Sequence, residues 1–135
     1  MENKNIYCTF TPDKRDPVKV YVKNPNEMGT VKMLDPTLQK ARDLVNGFVS
    51  NFYIPSIPDI YGCFNETISF KREAPNFYIP EKDKIVFGNT FFYSLDKKGQ
   101  IKDITNKDIA KLDKYMKNNM YRHEDKELEE ERERW

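Results

Sequence analysis

The sequence predicts an α+β domain: a single, mainly antiparallel sheet with two helices packed on one face and a charged C-terminal helical extension. Three observations predict this class: short segments with two-residue apolar alternation, two segments with a helical apolar stripe, and the element order β-β-α-β-β-β-β-α. The 135 residues fit one domain, whose boundaries we place at 17–118. We expect residues 1–16 to form an N-terminal arm and residues 119–135 a charged tail or helix extension.

The first predicted elements are a β-hairpin and a helix. Valines alternate with other residues over 18–23, and a turn of the type Asn-Pro-Asn-Glu-Met-Gly returns the chain into a second strand over 30–34. Asp35 and Pro36 are typical of a helix N-cap and a first helical position. The helix itself is predicted by its apolar stripe, Leu38, Ala41, Leu44 and Val45. A glycine two residues after this stripe predicts the end of the helix.

Aromatic and β-branched residues dominate the middle of the chain. Strands are predicted over 48–54, 60–64 and 67–70, and we expect a loop over 71–80. The apolar run 84–95 is typical of a central strand covered on both faces. Within it, the pair Gly88-Asn89 predicts a bulge or the close approach of another backbone.

A second helix is predicted after the last turn. Thr105 has the residue type of an N-cap, and Asp108 completes a variant of the capping box three residues later. The apolar stripe of this helix consists of Ile109, Leu112, Tyr115 and Met116. The last fifteen residues carry seven Asp or Glu and four Lys or Arg, so we expect a solvated helix extension or a frayed tail.

Charge and hydropathy exclude several classes of protein. The 23 Lys and Arg nearly balance the 22 Asp and Glu, which argues against a dedicated DNA or RNA binder. The polar N-terminus lacks the apolar run of a signal peptide, and no segment has the length of a membrane span. We therefore expect a cytoplasmic protein without a membrane partner, in which Cys8 and Cys63 stay reduced.

The usual catalytic motifs are missing from the sequence. The single histidine, His123, lies in the charged tail, and the five glycines are too isolated to form a phosphate-binding loop. The acidic cluster over 129–133 is typical of a solvated charge run. We therefore expect no enzyme, no catalytic residue, no metal site and no cofactor. A catalytic pair of carboxylates remains an open alternative, with candidates Asp59, Glu66, Glu73, Glu81 and Asp83.

Recognition of a ligand is the chemistry that remains. Arg72 offers a planar fork for phosphate, and Phe77 and Tyr78 offer faces on which a base can stack. Asn76 and Asn89 can read the polar edges of a small ligand. These five residues are our candidate binding site. The alternative is that Phe77 and Tyr78 close one end of the core while the neighbouring basic side chains are solvated.

The aromatic content predicts a further interface. Eight Tyr and nine Phe exceed what one small core needs, and tyrosine is enriched at interfaces. We therefore expect a homodimer or a higher homo-oligomer, or a surface for a protein partner.

Several sequence blocks resemble one family. They are Leu38-Gln39, Leu44-Val45-Asn46-Gly47, Phe64-Asn65-Glu66, Ala74-Pro75-Asn76, Phe87-Gly88-Asn89-Thr90-Phe91-Phe92, Asp96-Lys97-Lys98-Gly99, Ile104-Thr105 and Asp108-Ile109. The chain resembles, over residues 18–117, a small family catalogued only as a domain of unknown function and found in bacteriophages and mobile elements of Gram-positive bacteria. No block has catalytic character.

The resemblance implies a non-enzymatic phage accessory protein that acts in the cytoplasm of the infected cell. Small proteins of this kind often antagonise bacterial immunity, so we expect this chain to bind and sequester a nucleotide-derived signalling molecule. The main alternative is a protein-binding inhibitor of a CRISPR or restriction effector, with the aromatic surface and the tail carrying the interaction. A hydrolase that uses two carboxylates is a third possibility.

Overall fold

The computed structural model describes residues 16–65 and 74–120, in which strands and helices alternate along the chain. These elements are β1 (Val18–Lys23), β2 (Thr30–Leu34), α1 (Leu38–Val45), β3 (Val49–Ile54), β4 (Ile57–Asn65), β5 (Pro75–Ile79), β6 (Lys84–Phe87), β7 (Thr90–Leu95), β8 (Ile101–Lys102) and α2 (Asn106–Asn119).

The main sheet has the strand order β2-β1-β7-β4-β3, with β8 paired to β7. All of its pairings are antiparallel. The short strands β5 and β6 form a separate antiparallel hairpin. The predicted α+β class, with a mainly antiparallel sheet and two helices, is confirmed. The sheet is not single, because the β5–β6 hairpin stands apart from it.

The two faces of the main sheet carry separate cores, because successive side chains of a strand point to opposite faces. On one face, the valines of β1 pack with Ala41 and Val45 of α1. On the other face, Tyr21 of β1 packs with Leu112 and Met116 of α2. The two helices therefore cover opposite faces, and the prediction that both lie on one face is wrong.

The long apolar run 84–95 is broken into two strands at the Gly88-Asn89 pair. Gly88 has a φ of 78°, a conformation that favours glycine, and this turn separates β6 from β7. The first strand joins the hairpin with β5, whereas β7 lies at the centre of the main sheet. The predicted loop over 71–80 is also corrected, because its second half forms β5, in which every residue except Tyr78 is buried. The predicted strand over 67–70 lies outside the described residues.

Helix boundaries depend on local capping. The N-cap of α1 is Thr37, whose hydroxyl accepts a hydrogen bond from the backbone N–H of Lys40, rather than the predicted Asp35. For α2, the predicted N-cap Thr105 is confirmed, since its Oγ1 accepts from the N–H of Asp108 at 3.1 Å. This helix ends at Asn119. The predicted arm up to residue 15 and the tail from residue 121 lie outside the described residues.

Neither described helix combines the length and the apolar character that crossing a membrane requires. Cys63 is a free, fully buried thiol in the core under α1, and burial raises its pKa well above the ordinary value. Cys8 lies outside the described residues.

Candidate functional site

Asn76, one of the predicted binding residues, is completely buried and ties the β5–β6 hairpin to the main sheet. Its Oδ1 accepts a hydrogen bond from Lys23 Nζ at 2.7 Å, and its Nδ2 donates to the carbonyls of Lys23 and Gly88 at 2.8 and 2.7 Å. Both amide N–H groups are therefore engaged inside the protein. This geometry corrects Asn76 to a structural position in the core.

Lys23 is a fully buried cation at the end of β1. Besides Asn76, its ammonium donates to the carbonyl of Asn24 at 2.8 Å. Burial lowers the pKa of Lys23 to about 8, and the carboxylate of Glu27 offsets part of that shift. The hydroxyl of Thr90, the cross-strand partner of Lys23 on β7, is buried without a hydrogen-bond partner. Because the amine is enclosed, it can stabilise the fold but cannot meet a substrate.

Phe77 is also buried, and it closes the core as the alternative interpretation proposed. Its ring centroid lies 6.3 Å from that of Phe52 and 6.0 Å from that of Phe92. The half-buried Tyr78 donates its hydroxyl to Asp83 Oδ1 at 2.6 Å. The structure therefore corrects Phe77 to a core position.

The remaining two predicted residues are Asn89 and Arg72. Asn89 is half-buried in the link between β6 and β7. Arg72 lies outside the described residues. Ligand contacts by Arg72, Tyr78 and Asn89 stay predictions.

An arginine and an aromatic ring do meet in a cleft at the C-terminal end of α1. Its volume is about 340 Å³, at the lower end of the range for small-molecule sites. The lining residues are Gln39, Arg42, Asp43, Asn46, Gly47 and Phe48. We call this feature the Arg42–Phe48 cleft.

The reversal of the chain after α1 creates this cleft. Asn46 takes a left-handed conformation with a φ of 64°, and its backbone N–H donates to the carbonyl of Arg42. Asn65 Nδ2 donates to the carbonyl of Asn46 at 3.0 Å. A Cβ at Gly47 would lie 2.3 Å from that Nδ2, so only glycine allows the approach. Phe48 is thereby turned back toward the last turn of the helix.

The contact between Arg42 and Phe48 gives the cleft its chemistry. The Cζ atom of Arg42 lies 5.0 Å from the centroid of the Phe48 ring, within cation–π range. The Phe48 side chain is 53% exposed. The Nε atom of Arg42 is buried and has no hydrogen-bond partner, an arrangement that costs free energy until an acceptor arrives. The cleft therefore combines a planar cation, an aromatic ring and an unused donor.

An acidic side chain borders the same cleft. Asp43 accepts a hydrogen bond from Gln39 Nε2 at 2.9 Å across one turn of α1. This contact orients a carboxylate at the border of the cleft. The lining of the cleft thus includes a donor side chain, Arg42, and an acceptor side chain, Asp43.

Sequence analysis missed this pairing, because Arg42 lies outside the apolar stripe that predicts the helix and belongs to none of the predicted sites. The available signal was local: an arginine in the last helical turn, followed by Asn-Gly and an aromatic residue. An Asn-Gly pair at a helix C-terminus favours a left-handed reversal, and such a reversal returns the next side chain over the helix.

A second cavity, of about 430 Å³, lies between the β1–β2 turn and α2, lined by Met28, Gly29, Asp113, Lys114 and Lys117. The hydroxyl of Tyr21 donates to Asp113 Oδ1 at 2.7 Å beneath it. Burial, with the carboxylate of Asp113 as a second cause, holds the pKa of Tyr21 well above its ordinary value. A Cβ at Gly29 would lie 2.0 Å from the Tyr21 ring. The carboxylate of Asp113 is therefore engaged in a contact that stabilises the fold. For this reason the Arg42–Phe48 cleft is the better candidate site.

The described residues provide little support for other chemistries. Over 16–65 and 74–120, no group of three or more His, Cys, Asp and Glu could hold a metal ion. Two of the candidate carboxylates accept from tyrosines: Glu81 from Tyr115 at 2.6 Å and Asp83 from Tyr78. Glu66 and Glu73 lie outside the described residues.

Comparison with known proteins does not identify a relative. No protein-family model matches the chain, and no curated protein or solved structure is significantly similar to it. The resemblance to the phage family therefore stays a prediction from sequence motifs.

Proposed function

We propose that this chain is a non-enzymatic binding protein that captures a nucleotide-derived signalling molecule in the Arg42–Phe48 cleft. One observation carries the proposal: the guanidinium Cζ of Arg42 lies 5.0 Å from the ring centroid of the exposed Phe48 in a cleft of about 340 Å³. Stacking surfaces and arginine donors are what proteins use to hold bases and phosphates.

Each group of the cleft has a role in this proposal. A base extends the stack that Phe48 and Arg42 begin, because a guanidinium plane stacks well on aromatic rings. The guanidinium of Arg42 donates to a phosphate oxygen, because its planar fork of N–H groups matches the geometry of that group. Gln39, Asp43 and Asn46 border the cleft and read polar edges of the ligand.

The biological part of the proposal rests on the resemblance to a phage and mobile-element family. We propose that the protein acts in the cytoplasm of an infected cell, where it lowers the concentration of a nucleotide signal that activates anti-phage defence. We also propose that the active form is a homodimer or a higher homo-oligomer.

Binding assays with matched variants test the cleft. Isothermal titration with cyclic dinucleotides and cyclic ADP-ribose isomers should give a measurable Kd for one of these classes with the wild type. Phe48→Ala should weaken binding at least about fivefold, because it removes a stacking surface worth about 1–3 kcal/mol. Arg42→Lys should do the same, because lysine keeps the charge but loses the planar fork.

Tyr53→Ala is the matched control. Tyr53 is 46% exposed and also pairs with a cation, since Lys82 Nζ lies 4.1 Å from its ring centroid. It does not line the Arg42–Phe48 cleft, so its truncation should leave the Kd unchanged. Equal losses for Phe48→Ala and Tyr53→Ala would contradict the assignment of the site.

An infection assay tests the biological role. In bacteria whose defence uses a nucleotide signal, the wild type should restore phage growth and Phe48→Ala should not. Restoration by both proteins to the same level would separate the biological role from the cleft and contradict the proposal.

A second candidate function, a protein-binding inhibitor of a CRISPR or restriction effector, is favoured by strand β2. Among the described strands, β2 pairs only with β1, and its exposed Val31 and Met33 lie on one face. Such an edge can accept a partner strand. Deleting residues 121–135 should spare sequestration but abolish an inhibitor that uses the tail. Val31→Lys should spare sequestration but abolish an inhibitor that binds through β2.

A further inference from the structure

We infer that the base recognised in the Arg42–Phe48 cleft is guanine and that Asp43 is the residue that selects it. This inference rests on the proposed function, since it names the base of the nucleotide. It is carried by the position of a carboxylate, held by Gln39, at the border of the cleft.

An ionised carboxylate is a hydrogen-bond acceptor at both oxygens and cannot donate. The Oδ1 atom of Asp43 accepts from Gln39 Nε2 at 2.9 Å, which restricts the rotation of the carboxylate. Because Asp43 is exposed, it can meet a ligand that enters the cleft. The preferred partner of this group is a ligand edge with two adjacent N–H donors.

Guanine is the common base whose Watson–Crick edge presents that pair of donors, at N1 and at the exocyclic 2-amino group. Adenine and cytosine place an unprotonated ring nitrogen beside their amino group, and its lone pair faces the carboxylate. Uracil flanks its single N–H with two carbonyl oxygens. Among these bases, only guanine can therefore donate two hydrogen bonds to the carboxylate. Each of the other bases would place a lone pair against the negatively charged carboxylate, which is repulsive.

The other cleft residues suit this assignment without determining it. The Arg42 Cζ lies 5.0 Å from the centroid of the Phe48 ring, and any base can stack on an exposed aromatic ring. Stacking thus supplies affinity, and the hydrogen-bonding edge beside it supplies the choice of base. The selectivity should accordingly change when Asp43 changes and persist when the stack is only weakened.

The test is a titration of the full chain with GMP, AMP, IMP, CMP and UMP. GMP should bind most tightly, and IMP, which lacks the 2-amino group, should bind about tenfold more weakly than GMP, the ratio expected for losing part of a bidentate contact. Asp43→Asn should weaken GMP binding by about tenfold or more and shift the preference toward AMP. A carboxamide pairs one donor and one acceptor with the adenine edge.

The variant should fold, because Asp43 is exposed and lies in the second half of α1, where a negative charge does not complement the helix dipole. Asp59→Asn is the matched control, since Asp59 is exposed on β4 and does not line the cleft. It should leave the GMP to AMP ratio unchanged. Circular dichroism confirms that each variant is folded.

The outcomes separate this inference from the proposed function. Equal Kd values for GMP and AMP, both weakened by Phe48→Ala, would overturn the guanine assignment and leave the binding site intact. An unchanged preference in Asp43→Asn would overturn the role of Asp43. No binding of any nucleotide by the folded wild type would overturn the proposed function and this inference together.

Discussion

Lys23 Nζ donates to Asn76 Oδ1 over 2.7 Å, although the two residues are 53 positions apart in the sequence. Both side chains are fully buried, and the described contacts of the ammonium are carbonyl and amide oxygens rather than carboxylates. This pair fastens the β5–β6 hairpin to the main sheet. It also explains why two residues that are rarely buried lie in the core.

Replacement of Asn76 by leucine should destabilise the fold. Asn76→Leu keeps the side-chain size but removes three hydrogen bonds and leaves buried partners on Lys23 and Gly88 unpaired. We expect a loss of roughly 3 kcal/mol in the free energy of unfolding, measured by urea denaturation. Asn118→Ala, at an exposed position of α2, is the control and should change stability by less than about 0.5 kcal/mol. Similar values for both variants would contradict the assignment.

The buried charge of Lys23 should make stability depend on pH. Burial lowers its pKa from 10.5 to about 8. Between these values the unfolded chain binds a proton that the folded chain has released, so stability rises with pH in this window. The rise should reach up to about 3 kcal/mol. It should be present in the wild type and absent in Lys23→Met.

Ionisation of tyrosines in the unfolded chain opposes this rise near pH 10, because burial raises the pKa of Tyr21 in the fold. The informative quantity is therefore the wild-type stability minus that of Lys23→Met, in which the tyrosine contribution cancels. A difference that stays constant from pH 7 to pH 10 would show that the Lys23 pKa is not depressed.

Much of the fold follows from local sequence signals. The alternation over β1, the turn before β2 and the cap at Thr105 each depend on neighbouring residues, and all three are found as predicted. The helix positions relative to the sheet could not be obtained this way. The two-residue alternation of apolar side chains indicates that β1 has two different faces. Which helix covers each face depends on long-range packing.

The candidate site was less predictable than the fold. The sequence predicts a loop around Asn76, because residues 71–80 contain two prolines and a basic pair. The burial of Asn76 depends instead on Lys23 in a distant strand. The Arg42–Phe48 contact depends on the left-handed backbone of Asn46, a local feature that the Asn-Gly pair indicates. The Tyr21 contact with Asp113 depends on a distant helix, so no local pattern indicates it.

Tyr21 and Asp113 should be energetically coupled through their hydrogen bond. A double-mutant cycle with Tyr21→Phe and Asp113→Ala should give a coupling of about 1 kcal/mol, because Tyr21 is buried and its partner is charged. The control cycle uses Tyr115 and Glu81, whose hydrogen bond is exposed. It should give less than about 0.5 kcal/mol, and a larger value than the Tyr21 cycle would be inconsistent with the burial difference.

The N-cap of α2 should contribute measurably to stability. Thr105→Ala removes the acceptor for the N–H of Asp108 and should cost about 1 kcal/mol in the free energy of unfolding. Thr105→Ser retains a hydroxyl at this position and should recover most of that loss. Denaturant unfolding of the two variants measures the difference, and identical midpoints would argue against a capping role.

Recovery of an intact ligand tests most directly whether this protein binds without reacting. The folded wild type and Phe48→Ala are incubated with cyclic dinucleotides and cyclic ADP-ribose isomers, separated from free ligand, heat-denatured and analysed by mass spectrometry. We predict that the wild type releases one class of nucleotide with unchanged mass and that Phe48→Ala releases little. Release of a converted product, or of no nucleotide from folded wild-type protein, would contradict the claim that this chain captures a signal by binding alone.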